Sequence, residues 1–358
     1  MLTNAVPRQL LSRLLRRMSQ VIPTSSPKEV LTKIKIVFRE SEIHLHGTDL
    51  AQYLTLIAPC ETTEPGIALL AYSDLRDIVS RMTGDNVELT LDGKVVGITD
   101  SRASFELQVH SDLNEFPGAC DWSRVYTTQI DSEQLCQCLE SVIHCIDKES
   151  TRFALNAVYI EGSKEEGVLR FTATDGRRIT WIEVPSECET FTALLPAQSA
   201  KAIIEIVDEQ ISCRLCIGES WVGIEADNMS FLCRRAEGRF PSTKTFREMT
   251  KTTFRYSEAS LAELKTIANQ AAVVSMEDQM GVTLQFTSTE IIATHQSPKA
   301  KYRATTPCNH AQAKVTINSI YLQQALSRCK SVAVASDGAA LSIMRDGNCF
   351  EIIQGFAS

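Results

Sequence analysis

Asp175-Gly176-Arg177-Arg178 sets a carboxylate beside two guanidiniums, a pairing that could hold a general acid or base in place. No nucleophile or second acid accompanies it in sequence, and a strand-ending turn with Gly176 at positive φ accounts for the same residues. His44 and His46, two apart in an alternating run, would share one face of a strand, as a pair of metal ligands can. Two histidines near a turn are equally ordinary without an ion. Cys213 and Cys216 form a CxxC with no second pair nearby, a weak zinc signal, and their odd spacing in a strand sends them to opposite faces. Cys136 and Cys138, two apart in a helical pattern, do not face each other. No glycine-rich phosphate loop, HExxH or GxSxG is present. The expectation is a non-catalytic protein without cofactor or metal. Its 12 cysteines are expected to be reduced, mostly buried thiols in the cytoplasm.

Charge is the other chemistry on offer. The net charge of −8 is an average, and a nucleic-acid footprint is a local basic face. In "PRQLLSRLLRRMSQVI", Arg8, Arg13, Arg16 and Arg17 fall on the arc opposite Leu11, Leu14, Leu15, Met18 and Ile22, with no acid in the segment. A solvated face in an acidic protein would mix signs, whereas unopposed arginines suit a polyanion such as DNA phosphate. Lys28 follows this helix, and Arg76, Arg81, Lys201, Arg328 and Lys330 sit on later amphipathic segments. Glu133, Glu140, Glu258 and Glu263 dilute the pattern further along, so a basic lining would be strongest near the N-terminus.

The elements that must carry these residues repeat. "NEFPGACDW" and "EGRFPSTKTF" each put an acid ahead of Phe-Pro after a run of strand-like sequence, at nearly one-third and two-thirds of the 358 residues. Each third reads as an amphipathic helix, short strands, a second helix and more strands. Asp131 is a plausible N-cap in the second third, and "LDGK" marks a hairpin at Asp92-Gly93 in the first. "GTDL" at Asp49 and "ATDG" at Asp175 hold register, and the third copy has "ATHQ" there. A repeat of this length means duplicated domains, with boundaries at 1–122, 123–250 and 251–358. Two helices per copy cover one face of the sheet, which gives α+β domains. No apolar run reaches the roughly 18 residues of a membrane span, and the N-terminus reads as an amphipathic helix rather than a signal peptide.

"RFALNAVYIEG", "FTATDGRRI" and "EGRFPSTKTF", with "HLHGTDL" and "NEFPGACDW" ahead of them in order, resemble the signature segments of the bacterial β sliding clamp, the processivity subunit of DNA polymerase III. The resemblance spans essentially the whole chain. It implies three topologically similar clamp domains per chain, each with two helices packed on antiparallel sheet. Two chains would close head to tail into a ring, helices inward, that slides on double-stranded DNA without base preference. It further implies tethering of the DNA polymerase III alpha subunit, the clamp loader and other clamp-binding-motif repair proteins, with no membrane partner. The pocket for their peptides would use Leu155, Thr174, Gly176, Arg177, Ile179, Pro241, Phe246 and Ile353. The chain departs from the family in ending "EIIQGFAS" rather than in a Met-Pro-Met-like tail, and in carrying Thr245 where a basic residue is frequent. A clamp-fold scaffold that binds peptides without encircling DNA is the alternative.

Overall fold

Alternating strands and leucine-striped helices follow one element order, run through three times. The structure, a computed structural model, describes residues 4–60, 65–118, 123–147, 153–207, 212–275, 281–298, 300–308, 311–327 and 329–356. The first series is β1 (Asn4–Pro7), α1 (Arg8–Met18), β2 (Lys33–Arg39), β3 (Glu42–Thr48), β4 (Gln52–Pro59), β5 (Gly66–Ala71), α2 (Tyr72–Arg81), β6 (Asn86–Asp92), β7 (Val95–Thr99) and β8 (Ser104–Gln108). The second is β9 (Tyr126–Asp131), α3 (Ser132–Val142), β10 (Ala157–Ser163), β11 (Val168–Thr174), β12 (Arg178–Pro185), β13 (Phe191–Pro196), α4 (Ala197–Ile206), β14 (Ser212–Ile217), β15 (Trp221–Ala226) and β16 (Met229–Arg234). After α5 (Lys244–Thr252) comes the third: β17 (Ser257–Glu258), α6 (Leu261–Ser275), β18 (Gly281–Phe286), β19 (Glu290–Gln296), β20 (Lys301–Pro307), β21 (Ala313–Asn318), α7 (Ser319–Leu326), β22 (Val332–Ser336), β23 (Ala340–Arg345) and β24 (Cys349–Gln354).

The strands make four antiparallel sheets, ordered β1-β6-β7-β8, β5-β2-β3-β4-β16-β15-β14-β9, β13-β10-β11-β12-β24-β23-β22-β17 and β20-β19-β18-β21. Each series therefore contributes two four-stranded halves. In the two long sheets the fourth strand of one series pairs with the last strand of the next: β4 with β16, Met229 opposite Leu56, and β12 with β24, Arg178 opposite Ile353. The chain divides into two compact units, Met1–Cys136 with Gln198–Arg235 and Gln137–Ala197 with Ala236–Ser358. Every sheet lies within one unit.

Local sequence explains most elements. In β2, alternation buries Ile34, Ile36 and Phe38. In α1 the three-to-four spacing buries Leu11, Leu14, Leu15 and Met18. Asp131 accepts from Glu133 N at 2.9 Å at the start of α3. The β6–β7 hairpin turns at Gly93, φ +53°.

Four expectations change. Each series opens with a short strand ahead of its helix. Helix α1 stops at Met18, and Ile22 is buried from the turn that follows, its N–H donating 2.9 Å to Met18 O. Helix α7 stops at Leu326, where the Ser327 hydroxyl donates to Gln324 O at 2.8 Å, so Lys330 is not helical. Pro241 leads into a helix, α5, that buries none of its residues, rather than into an extended exit. Among the described residues the cysteines form no disulfide. Burial pushes the Cys233 thiol up to about 12, which keeps it protonated and unreactive. Among the described residues no helix is long and apolar enough to cross a membrane.

Candidate functional site

Two turns of one design face a shared cavity. At the end of β11, Thr174 Oγ1 donates to Arg178 O at 2.6 Å, and Asp175 Oδ1 accepts from Arg177 N and Arg178 N, each at 3.0 Å. Gly176 sits at φ +83° with open space around it. At the end of β22, Ser336 Oγ donates to Ala340 O at 2.9 Å, and Asp337 Oδ1 accepts from Ala339 N and Ala340 N at 2.9 and 2.8 Å. Gly338 takes φ +89°. The side chains do the work of backbone partners and close each turn tightly. The end of β24 is laced to both turns: Gln354 N donates to Arg177 O at 3.0 Å and Gly355 N to Ala339 O at 2.8 Å. Thr48-Asp49 makes the same turn between β3 and β4. In the third copy the aspartate is lost at the equivalent β19–β20 connection, and the turn made by Ser336-Asp337-Gly338 belongs to a different hairpin, β22–β23.

Between the turns lies a cavity of about 800 Å³. Its apolar wall is Ile179, Ala340 and Ile352, backed by Trp181, Phe254 and Ala335. Helix α5 supplies Phe246 and Met249 to the wall, and Phe356, just past β24, adds a second ring, its N–H on Thr316 O at 2.8 Å. Phe246 and Phe356 are 36% and 46% exposed. A concave apolar surface with exposed rims and a few fixed polar groups suits a short linear peptide.

Five of the residues expected at this pocket do line it: Thr174, Gly176, Arg177, Ile179 and Phe246. Three do not. Ile353 is adjacent to Ile352 in β24, so its side chain points to the opposite face, where it is fully buried in the core of the third series. Leu155 is buried in a single 3₁₀ turn, Phe153–Leu155, and Pro241 is exposed ahead of α5. Arg177 is exposed at the mouth, while Arg178, its neighbour, is the buried arginine of the wall. Sequence reasoning missed Arg178, Met249, Ile352, Asp337 and Phe356. The likeness of "ASDGA" to "ATDGR" could have found Asp337.

Behind the wall is a buried ionic cluster. Glu351 has no exposed side-chain surface; His144 Nε2 donates to its Oε2 at 2.9 Å, with Arg345 Nη2 at 3.4 Å and Arg178 Nη1 at 3.7 Å. Burial alone would raise the carboxyl, but His144, Arg345 and Arg178 overcome it and hold Glu351 at about 2. His144, Cys145 and Glu351 are close enough to hold a metal ion. Two guanidiniums on the same carboxylate oppose a cation there, and burial keeps the Cys145 thiol protonated. At the other histidine pair, His44 Nε2 bonds Glu42 at 2.9 Å and His46 Nδ1 bonds Thr55 Oγ1 at 2.9 Å. Each has its own protein partner, and burial, followed by His44, Lys35 and Arg39, pulls His46 down to about 4, so it is neutral near pH 7.

The basic candidates are not equivalent. In α1, Arg13 and Arg16 are exposed on the face away from the buried leucines, and the helix carries no acid. Arg8 is half-buried and tied down, its Nε donating to Gly84 O at 2.8 Å. Arg16 and Arg17 lie in the last turn, where cations also suit the helix dipole. Arg76 pairs with Asp77 at 2.8 Å and lies over the Tyr72 ring. Lys28, Arg81, Lys201 and Lys330 are exposed, and Arg328 lies outside the described residues.

Two family models match the chain: the DNA polymerase III beta subunit N-terminal domain over residues 4–120 and the central domain over 129–242. The Beta sliding clamp of Chlamydia muridarum is 22% identical over 302 residues, covering 82% of this chain and 80% of that protein. The Beta sliding clamp of Proteus mirabilis is 21% identical over 349 residues, 94% of each. The sliding clamp (DNA polymerase III subunit beta) of Pseudomonas aeruginosa, solved bound to griselimycin, superposes on the chain with a TM-score of 0.90 at 17% identity, covering 100% of both.

Proposed function

The chain belongs to the DNA polymerase III beta subunit family, and on that premise we propose that it is a sliding clamp. Three clamp domains, bounded near residues 122 and 250, make half a ring. Two chains close it around double-stranded DNA, and the pocket tethers the polymerase alpha subunit, the clamp loader and repair proteins that carry clamp-binding motifs. The protein itself catalyses nothing and works in the cytoplasm.

The observation that carries the DNA part is α1. Arg13 and Arg16 stand exposed on a helix without an acid, in a chain whose net charge is −8. Cations placed on a helix face reach phosphates and read no bases, so binding is sequence-independent.

Closure is supported by strand order. Within the chain, the fourth strand of a series pairs with the last strand of the next, β4 with β16 and β12 with β24. Among the described residues that leaves β20, the fourth strand of the third series, and β8, the last of the first, without this pairing at a sheet edge. An edge strand presents unmet N–H and C=O groups. The same rule applied between chains pairs β20 of one with β8 of another, head to tail, and two such joints make a closed dimer. Glu106 on β8 and Lys301 and Arg303 on β20 are exposed and opposite in sign, and Phe105 on β8 is 39% exposed.

The test is topological: the protein, loaded on nicked circular DNA, should stay on through gel filtration and come off when the circle is cut. Equal retention on linear DNA would mean ordinary binding and no ring.

A further inference from the structure

Arg178 lines the pocket, yet its side chain is 4% exposed and its partners come from four other segments. Nε donates to Asp175 Oδ2 at 3.1 Å. Nη2 donates to His144 O at 2.7 Å and to Gln324 Oε1 at 2.6 Å. The guanidinium lies over the Tyr321 ring, 4.1 Å from its centroid. Among the described residues Nη1 has no hydrogen-bond partner, and it stands 3.7 Å from Glu351 Oε1. Asp175 and Glu351 approach it from the pocket turn and β24. Gln324 and Tyr321 belong to α7, which offers no residue to the pocket lining. Gln324 instead lines a separate cavity of about 390 Å³ with Lys265, Asn269 and Gln323, between α6 and α7.

We propose that Gln324 is a positioning residue for the peptide pocket: its amide oxygen, from the helix surface, fixes the plane of the Arg178 guanidinium in the pocket wall. A planar guanidinium has one productive orientation for its fixed fork of donors, so an acceptor at Nη2 and a ring beneath the plane together leave it one rotamer. Asp175 reaches only Nε, its other oxygen closing the turn through Arg177 N and Arg178 N, and the His144 carbonyl takes one Nη2 proton, which leaves the second to the Gln324 amide oxygen. Losing Gln324 frees a buried cation to follow its remaining partners, and the pull falls on the Asp175 turn that walls the cavity. What happens on the α6–α7 surface is then one side chain away from the pocket.

This rests on the pocket being the peptide site, and the experiment separates the two. Full-length protein is titrated into a fluorescent peptide carrying a clamp-binding motif of the DNA polymerase III alpha subunit, well below the melting temperature of each variant. Gln324→Asn keeps the amide but draws it one methylene short; affinity should fall roughly tenfold, as for one hydrogen bond to a charged group. Gln324→Glu keeps an acceptor at full reach and should stay within about twofold of wild type. On an Arg178→Lys background, Gln324→Asn should have no further effect. Wild-type binding with Gln324→Asn unchanged overturns the positioning role and leaves the pocket reading intact. Equal weakening by the Asn and Glu variants, or full additivity with Arg178→Lys, overturns it also. No peptide binding by the wild type overturns both.

Discussion

His144 Nε2 donates 2.9 Å to Glu351 Oε2, joining a residue of the second series to one of the last strand inside a core where the carboxylate has no exposed surface. The folded pKa of Glu351, about 2, lies below its ordinary 4.5. A depressed carboxylate contributes stability that is complete above the unfolded value and lost as pH falls through the folded one. Unfolding free energy from urea titrations should therefore decline between about pH 4.5 and pH 2, by on the order of 3 kcal/mol from this group. Glu351→Gln should be less stable at pH 7, because Arg178 and Arg345 lose their shared counter-charge. It should also lack that acid slope. An unchanged slope in the variant would assign the decline elsewhere.

His46 gives a second window. Its folded pKa, about 4, is below the ordinary 6.5, chiefly because burial disfavours the imidazolium. The unfolded chain binds the proton more readily, so this contribution is complete above pH 6.5 and is lost as pH falls toward 4. Replacement by Gln, which can still reach Thr55, should flatten the stability profile between pH 6.5 and 4 by on the order of 3 kcal/mol. NMR titration of the ring protons reads the same pKa directly.

The edge strands predict an assembly. Phe105→Asp places a charge where an apolar ring is 39% exposed on β8. At micromolar concentration light scattering should give about twice the 39.7 kDa chain mass for wild type and the chain mass itself for the variant, with peptide binding unaffected. A dimeric variant would take β8 out of the joint.

The arginines of α1 should divide by environment. Arg13→Ala and Arg16→Ala should each lower the salt slope of DNA affinity by roughly one, with little change in melting temperature. Arg8→Ala should lower the melting temperature instead, since its Nε holds the Gly84 carbonyl. Slopes unchanged in both exposed variants would mean that this face is merely solvated.

How far the sequence is legible depends on whether the controlling interaction is local. The α1 stripe from Leu11 to Met18, the Asp131 cap and the Asp175-Gly176 turn are settled by residues within four positions of one another and appear as expected, whereas Ile22 lies beyond the helix end. Helix α5 was unreadable because "KTFREMTKT" buries nothing and so has no stripe to read. Ile352 and Ile353 could not be assigned to faces because β24 is buried on both, which removes the alternation that marks phase. The cluster of His144, Arg178, Arg345 and Glu351 is assembled from distant segments. Neither propensity nor spacing announces it.

The phase of β24 decides which of its side chains can meet a peptide. Phe246 and Phe356 line the cavity and stay partly exposed, so truncating them removes contact with a bound peptide and little core packing. Phe246→Ala and Phe356→Ala should each weaken binding of a polymerase-derived peptide by roughly 1–2 kcal/mol, about five- to thirtyfold, with melting temperatures near wild type. Ile353→Ala should do the reverse. It empties a fully buried site in the third-series core, so it should cost roughly 2–5 kcal/mol of stability, and peptide affinity measured well below melting should hardly move. Pro241→Ala should change neither, because Pro241 is exposed and outside the cavity wall. Isothermal titration beside a melting curve for the four variants separates wall from core. If Ile353→Ala lost peptide affinity selectively and Phe246→Ala did not, the peptide would lie against the other face of β24, and the cavity between the two aspartate turns would not be its site.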